Sequence, residues 1–201
     1  MTGSIRIGIL GGTFDPPHIG HLIVGQDLVE ALDLHELLFV VSGEPPHKEA
    51  ETVTAGEIRY RMVLAAVESN DLFRASDVEI RRDGPSYSVD TLRRLKEQHP
   101  GAELHFIIGA DQFAELSTWR DPEEIARLAH LVVMTRGGED PTRIDPGVQV
   151  SYETVPVTRV DVSSTGIRDR IRRGRAVRYL VRKPVRRIIA QEGLYEDEGD
   201  A

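Results

Sequence analysis

The sequence predicts an α/β protein built on a doubly wound, mostly parallel sheet. Short β-rich runs alternate with helical patterns along the chain, and several of these runs are continuously apolar, as strands covered on both faces are. Gly- and Pro-rich punctuation falls just after the runs. Such alternation folds as parallel strands joined by right-handed helical crossovers.

Taken in order, strands are expected at "IRIGIL" (5–10), "LLFVVS" (37–42), "SDVEI" (76–80), "LHFIIG" (104–109), "LVVMTR" (131–136) and "VQVSYETV" (148–155). Helices are expected at about 17–32, 57–69, 88–98, 121–129, 165–173 and 184–192. The polar, proline-bearing stretch "EPPHKEAETVTAG" (44–56) reads as a mobile loop, and "GGEDPTRIDPG" (137–147) as a second loop. With 201 residues the chain can bury one good core. A single domain is expected over 1–195, with a small helical C-terminal part at about 165–195 and a disordered acidic tail, "EDEGDA", at 196–201.

Composition excludes several classes of function. The chain is 40% apolar and 29% charged, ordinary values for a globular protein. It has no cysteine, which removes disulfides, thiol nucleophiles and Cys-ligated zinc. No basic N-terminal segment precedes a long apolar stretch, and no apolar run approaches the ~20 residues of a membrane span, so a cytoplasmic protein without a membrane partner is expected. The formal charge is −8, yet between Arg168 and Arg187 Asp169 is the only acid among many arginines. That segment by itself suits either a nucleic acid or a small anion.

Two stretches carry chemistry. In "GGTFDPPHIGHL" (11–22), Gly11 and Gly12 follow the first strand and let a ligand approach the backbone closely. Asp15 is the expected N-cap, with Pro16 and Pro17 in the first helical turn and His18 and His21 three residues apart on one face. A helix start favours phosphate, histidines can donate to it, and a protonated one adds charge. The known glycine-rich phosphate loops are absent, and so are H-E-x-x-H and a third ligand for a zinc site.

In "VSSTGIRDRIRRG" (162–174), Ser164 or Thr165 is expected to cap a helix that Gly174 ends. Arg168 near the helix start opposes the dipole, a conflict that a bound anion would remove. Arg170, Arg172 and Arg173 read as a solvent-facing basic surface. Lys48 in "EPPHK" adds a further cation. The expectation is that the two stretches converge into one cradle for a polyphosphate.

Residues 11–21 with "SSTGIR" (163–168) resemble the paired signature of the nucleotidylyltransferase superfamily. "EPPHK" (44–48), "GPSYSVDTL" (84–92) and "IIGADQFAELSTWRDPEEI" (107–125) are similar to the bacterial nicotinate-nucleotide adenylyltransferases in particular. The resemblance implies a Rossmann-like nucleotidylyltransferase fold. It also implies adenylyl transfer from ATP to nicotinate mononucleotide, giving nicotinate adenine dinucleotide and pyrophosphate, with Mg²⁺ bound through the ATP phosphates. On that resemblance Gly11, Gly12, Thr13, Phe14, His18, His21, Ser163, Ser164, Thr165 and Arg168 hold ATP, and His18, His21, Lys48 and Arg168 are catalytic. Nicotinate mononucleotide would be bound by Lys48, Tyr87, Ser88, Gly109, Asp111 and Trp119, with Trp119 stacked on the pyridine ring and Asp111 at the ribose. No nucleic-acid partner is implied, and a homo-oligomer is compatible with the sequence.

Relatives acting on nicotinamide mononucleotide or phosphopantetheine share the two signatures, although phosphopantetheine adenylyltransferases lack the "SYSVDTL" and "STW" features. The chain departs from the family pattern at Arg136-Gly137-Gly138, where R-P-G is usual, and at "YLVRKPV", where the proline is delayed to Pro184.

Overall fold

A computed structural model describes residues 4–43, 53–82, 84–137 and 144–196. Six strands form one sheet: β1 (Arg6–Gly12), β2 (Glu36–Val41), β3 (Phe73–Ser76), β4 (Glu103–Gly109), β5 (His130–Thr135) and β6 (Tyr152–Pro156). Every pairing is parallel and the order is β3-β2-β1-β4-β5-β6. Chain direction across the sheet therefore reverses between β1 and β4. In an open parallel sheet that reversal opens a crevice beyond the strands' carboxyl ends.

The helices are α1 (Ile19–Ala31), α2 (Gly56–Val67), α3 (Ser88–Gln98), α4 (Ala110–Ala114), α5 (Pro122–Leu128), α6 (Ser164–Arg172) and α7 (Lys183–Gln191). Because side chains alternate across a strand, the sheet has two apolar faces. Ile7, Ile9, Leu104, Phe106 and Ile108 pack on α3 and α5 through Leu92, Leu95 and Ile125. On the other face Leu37, Phe39, Ile107 and Val132 meet Leu28 and Val29 of α1. A third cluster joins Met62 and Ala66 of α2 to Ile167, Val181, Val185 and Ile189, so the C-terminal helices sit on α2 and continue the same body.

The strand expected at 76–80 is displaced. Phe73, buried in the α1-side cluster, sets the register of β3, and the chain turns where the Asp77 carbonyl accepts the Arg81 amide at 3.0 Å. The strand expected at 148–155 pairs only from Tyr152. Val148 and Val150 pack against the core without joining the ladder, after a turn closed by Asp145 Oδ1 on the Gly147 amide at 2.8 Å. Helix α4 and the 3₁₀ turn Leu116–Thr118 had no expectation. Pro184 falls in the first turn of α7, where proline is tolerated. Residues 44–52, 138–143 and 197–201 lie outside the described residues, and with them most of the expected first loop, part of the second and nearly all of the acidic tail. Among the described residues no helix is long and apolar enough to cross a membrane.

Candidate active site

A cavity of about 480 Å³ opens at the β1–β4 reversal. Gly11 and Gly12 at the end of β1, Gly109 at the end of β4 and Asp111 in α4 form its floor and one wall, and Met134 and Arg136 follow β5. Its remaining wall combines Phe14, His18 and His21 with Ser163 and Ser164. The two sequence stretches thus meet as expected. Arg168 Nη1 donates to the Asp15 carbonyl at 2.7 Å, and Ser164 Oγ donates to the Pro16 carbonyl at 2.8 Å.

The local geometry corrects several expectations. His18, and not Asp15, is the N-cap of α1, and Pro16 and Pro17 precede the helix. The first helical amide, Ile19, is taken by the Leu180 carbonyl at 2.9 Å. Asp15 follows Phe14 through a turn and enters a cis peptide bond with Pro16; its buried carboxylate accepts the Tyr195 hydroxyl and the Thr54 amide. At α6 the cap is Ser163, whose hydroxyl accepts the Gly166 amide at 3.1 Å, whereas Ser164 and Thr165 lie within the helix. Gly174, at φ 63°, follows the C-cap as expected.

The two imidazoles stack with ring centroids 3.7 Å apart. His21 Nδ1 accepts the His18 amide at 3.1 Å, so a neutral His21 carries its proton on Nε2. Phe14 supports the ring from beneath, edge-on at 5.0 Å, and itself sits in the left-handed region at φ 50°. Burial lowers the His18 pKa from the ordinary 6.5 to about 4, with Arg136 adding to the effect. Burial, then His18 and Arg136, lower that of His21 to about 3. Both rings are therefore neutral near pH 7. The expectation that a protonated histidine adds charge is therefore not met in the folded chain, and among the described residues Arg136 is the cation in the cavity's lining.

The glycines have distinct tasks. A Cβ on Gly11 would meet no atom within 4 Å, which leaves space above the strand end for a ligand, whereas a Cβ on Gly12 would lie 2.8 Å from the Phe14 ring.

The other expected residues among those described, Thr13, Tyr87, Ser88, Trp119, Thr165 and Arg168, do not line the cavity itself. Arg168 also reaches Thr165 Oγ1 at 3.3 Å. Thr13 continues the turn below the cavity, its carbonyl held by Arg59. Tyr87 and Ser88 begin α3, outside the cavity wall, with the Arg120 guanidinium 4.9 Å from the Tyr87 ring centroid. Trp119 ends the 3₁₀ turn, half-buried against the core and edge-on to Phe106 at 6.2 Å. Lys48 lies outside the described residues. Arg170 donates to the Ala176 carbonyl and Arg172 pairs with Asp169, which fits the solvent-facing reading of that surface. Sequence reasoning missed the cavity residues Thr158 and Val160, which carry no motif, passed over Gln112 within the quoted 107–125 stretch, and missed Arg59 altogether.

A crevice at a strand-order reversal, with two helix starts and two neutral imidazoles facing it, defines a nucleotide-binding α/β protein. The cytidylyltransferase-like profile matches residues 9–170, and the chain belongs to that family. It is 46% identical over 197 residues to the probable nicotinate-nucleotide adenylyltransferase of Rubrobacter xylanophilus, covering 95% of this chain and 92% of the relative. The protein of the same description from Shouchella clausii is 40% identical over 195 residues, covering 97% and 99%. In fold the chain resembles the nicotinic acid mononucleotide adenylyltransferase of Plasmodium falciparum complexed with NaAD, with a TM-score of 0.76, 20% identity, and coverage of 95% of this chain and 97% of that one.

Proposed function

We infer that this chain transfers the adenylyl group of ATP to nicotinate mononucleotide, giving nicotinate adenine dinucleotide and pyrophosphate. The observation that carries the reading is the 46% identity, over nearly the full length, to a nicotinate-nucleotide adenylyltransferase. The convergence of both phosphate-suited stretches on one cavity agrees with it.

In this reaction a phosphate oxygen of the mononucleotide attacks the α-phosphorus of ATP, and the bond from that phosphorus to the α,β-bridging oxygen breaks, the oxygen and its electron pair leaving with pyrophosphate. Little covalent help is needed, and the chain offers positioning and charge. Two unit charges 4 Å apart repel by about 4 kcal/mol at an effective dielectric near 20, so the approach of two anions is the barrier to be lowered. In this reading His21, neutral and with Nδ1 taken by the His18 amide, offers Nε2–H as a donor to a phosphate oxygen. The Ser163 and Ser164 end of α6, with Thr165 and Arg168, suits the triphosphate, and Gly11 leaves room for it. Gly109 and Asp111 lead from the cavity toward Trp119 and Tyr87, the path we give to the mononucleotide.

We place Mg²⁺ on the triphosphate oxygens. Asp15, the carboxylate nearest the turn, is already engaged by Tyr195 and Thr54, which fits an ion carried by the nucleotide. There it would share the charge leaving with pyrophosphate.

The test is pyrophosphate release with ATP and Mg²⁺, comparing nicotinate mononucleotide, nicotinamide mononucleotide and phosphopantetheine as acceptors. Fastest release with the nicotinate compound is expected. Preference for phosphopantetheine, or no release with any acceptor, overturns the reading.

A further inference from the structure

Arg59 stands near the start of α2, is only 3% exposed, and forms no ion pair among the described residues. A buried guanidinium needs its donors satisfied, and here backbone carbonyls satisfy them. Nε donates to the Thr54 carbonyl at 2.7 Å, Nη1 to those of Thr13 at 2.9 Å and Ser42 at 2.8 Å, and Nη2 to that of Gly43 at 3.2 Å. Three separate segments are gathered: the turn after β1, the end of β2, and the residues before α2. Thr54 is tied further, its amide to Asp15 Oδ2 at 3.3 Å, while the Tyr195 hydroxyl donates to the other Asp15 oxygen.

We propose that Arg59 is a positioning residue for the phosphate-binding turn, holding the Thr13 carbonyl so that the Thr13–Asp15 backbone is preset for a polyphosphate. A peptide unit is planar and trans, so fixing the Thr13 carbonyl also fixes the direction of the Phe14 amide, which points away from Arg59. Phe14 has φ 50°, a conformation a bulky residue keeps only where its surroundings over-determine it. Its ring is lodged between Gly12 and His21, and Arg59 supplies the restraint on the backbone side. From the far side of the turn Arg168 holds the Asp15 carbonyl. Lysine cannot replace this fork: a single ammonium lacks the planar array of donors that reaches four carbonyls at once.

The proposal rests on the turn binding ATP, as inferred above, and ATP binding is its readout, so turnover is not needed to judge it. In Arg59→Lys, with the folded fraction measured by thermal melting, we expect ATP–Mg²⁺ to bind about tenfold or more weakly. Nicotinate mononucleotide should bind within about twofold of the unaltered chain. Unchanged ATP affinity in folded Arg59→Lys overturns the proposal, and so does an equal loss for both ligands, which would mark general damage. Should the variant not fold, the Arg59 Nε–H resonance of the unaltered, isotope-labelled chain decides: a shift on adding ATP–Mg²⁺ supports the role, and no shift overturns it. Should the unaltered chain bind ATP but release no pyrophosphate with any acceptor, the adenylyl-transfer reading fails while the Arg59 result stands.

Discussion

His18 and His21 lie face to face with their ring planes 22° apart, and the amide of the first bonds to the ring of the second. His18 is buried and His21 half-buried beside Arg136, and both are held neutral.

Stability should therefore fall in mild acid. Each ring has a lower pKa folded than unfolded, so the unfolded chain binds more protons below about 6.5 and gains as pH drops. The loss begins near 6.5 and levels off near 4 for His18 and near 3 for His21, where the folded rings protonate as well. About one pH unit above 6.5 and beyond, these two groups contribute no slope. Melting temperatures between pH 4 and 7 check this, and the double variant His18→Gln/His21→Gln should show a shallower acid limb.

Removing the donor should stop chemistry more than folding. His21→Ala is expected to slow turnover by on the order of 10²-fold, the usual cost of losing one transition-state donor. Pyrophosphate release measured beside a melting curve checks it, and unchanged turnover would take His21 out of the mechanism.

The neighbouring glycines should part company. Gly11→Ala places a methyl in open space and should keep the melting temperature while weakening ATP binding, since the ligand needs that space. Gly12→Ala drives a methyl into the Phe14 ring and should destabilise the fold by about 1–3 kcal/mol, as overpacking does. Titration of ATP and thermal melts on both variants separate the two effects.

Trp119→Ala should raise the KM for nicotinate mononucleotide by about tenfold with the KM for ATP little changed, since stacking on one base is worth about 1–3 kcal/mol. Some loss of melting temperature is expected as well, because the indole edge packs on Phe106. Equal rises in both KM values would make Trp119 a core residue only.

The sheet was legible because its central strands are unbroken apolar runs, and that pattern fits only burial on both faces. Edge strands were not: β3 is four residues long, and its position depends on where Phe73 finds the core. At the site, His18, His21 and the Ser163–Arg168 stretch could be read because helix starts and glycine turns leave local signatures. The shift of the caps from Asp15 to His18 and from Ser164 or Thr165 to Ser163 could not, since capping follows backbone angles that neighbouring segments impose. Arg59 left no trace at all, because an arginine in a helix reads as a surface residue and only the folded chain brings four carbonyls to it. The depressed pKa values of the histidines likewise come from burial, which no spacing records.

The Tyr195 hydroxyl donates to Asp15 from 180 positions along the chain. Arg168 closes a loop of comparable length on the same residue, so the shape of the glycine-histidine turn is a property of the whole fold's closure and not of its own local sequence.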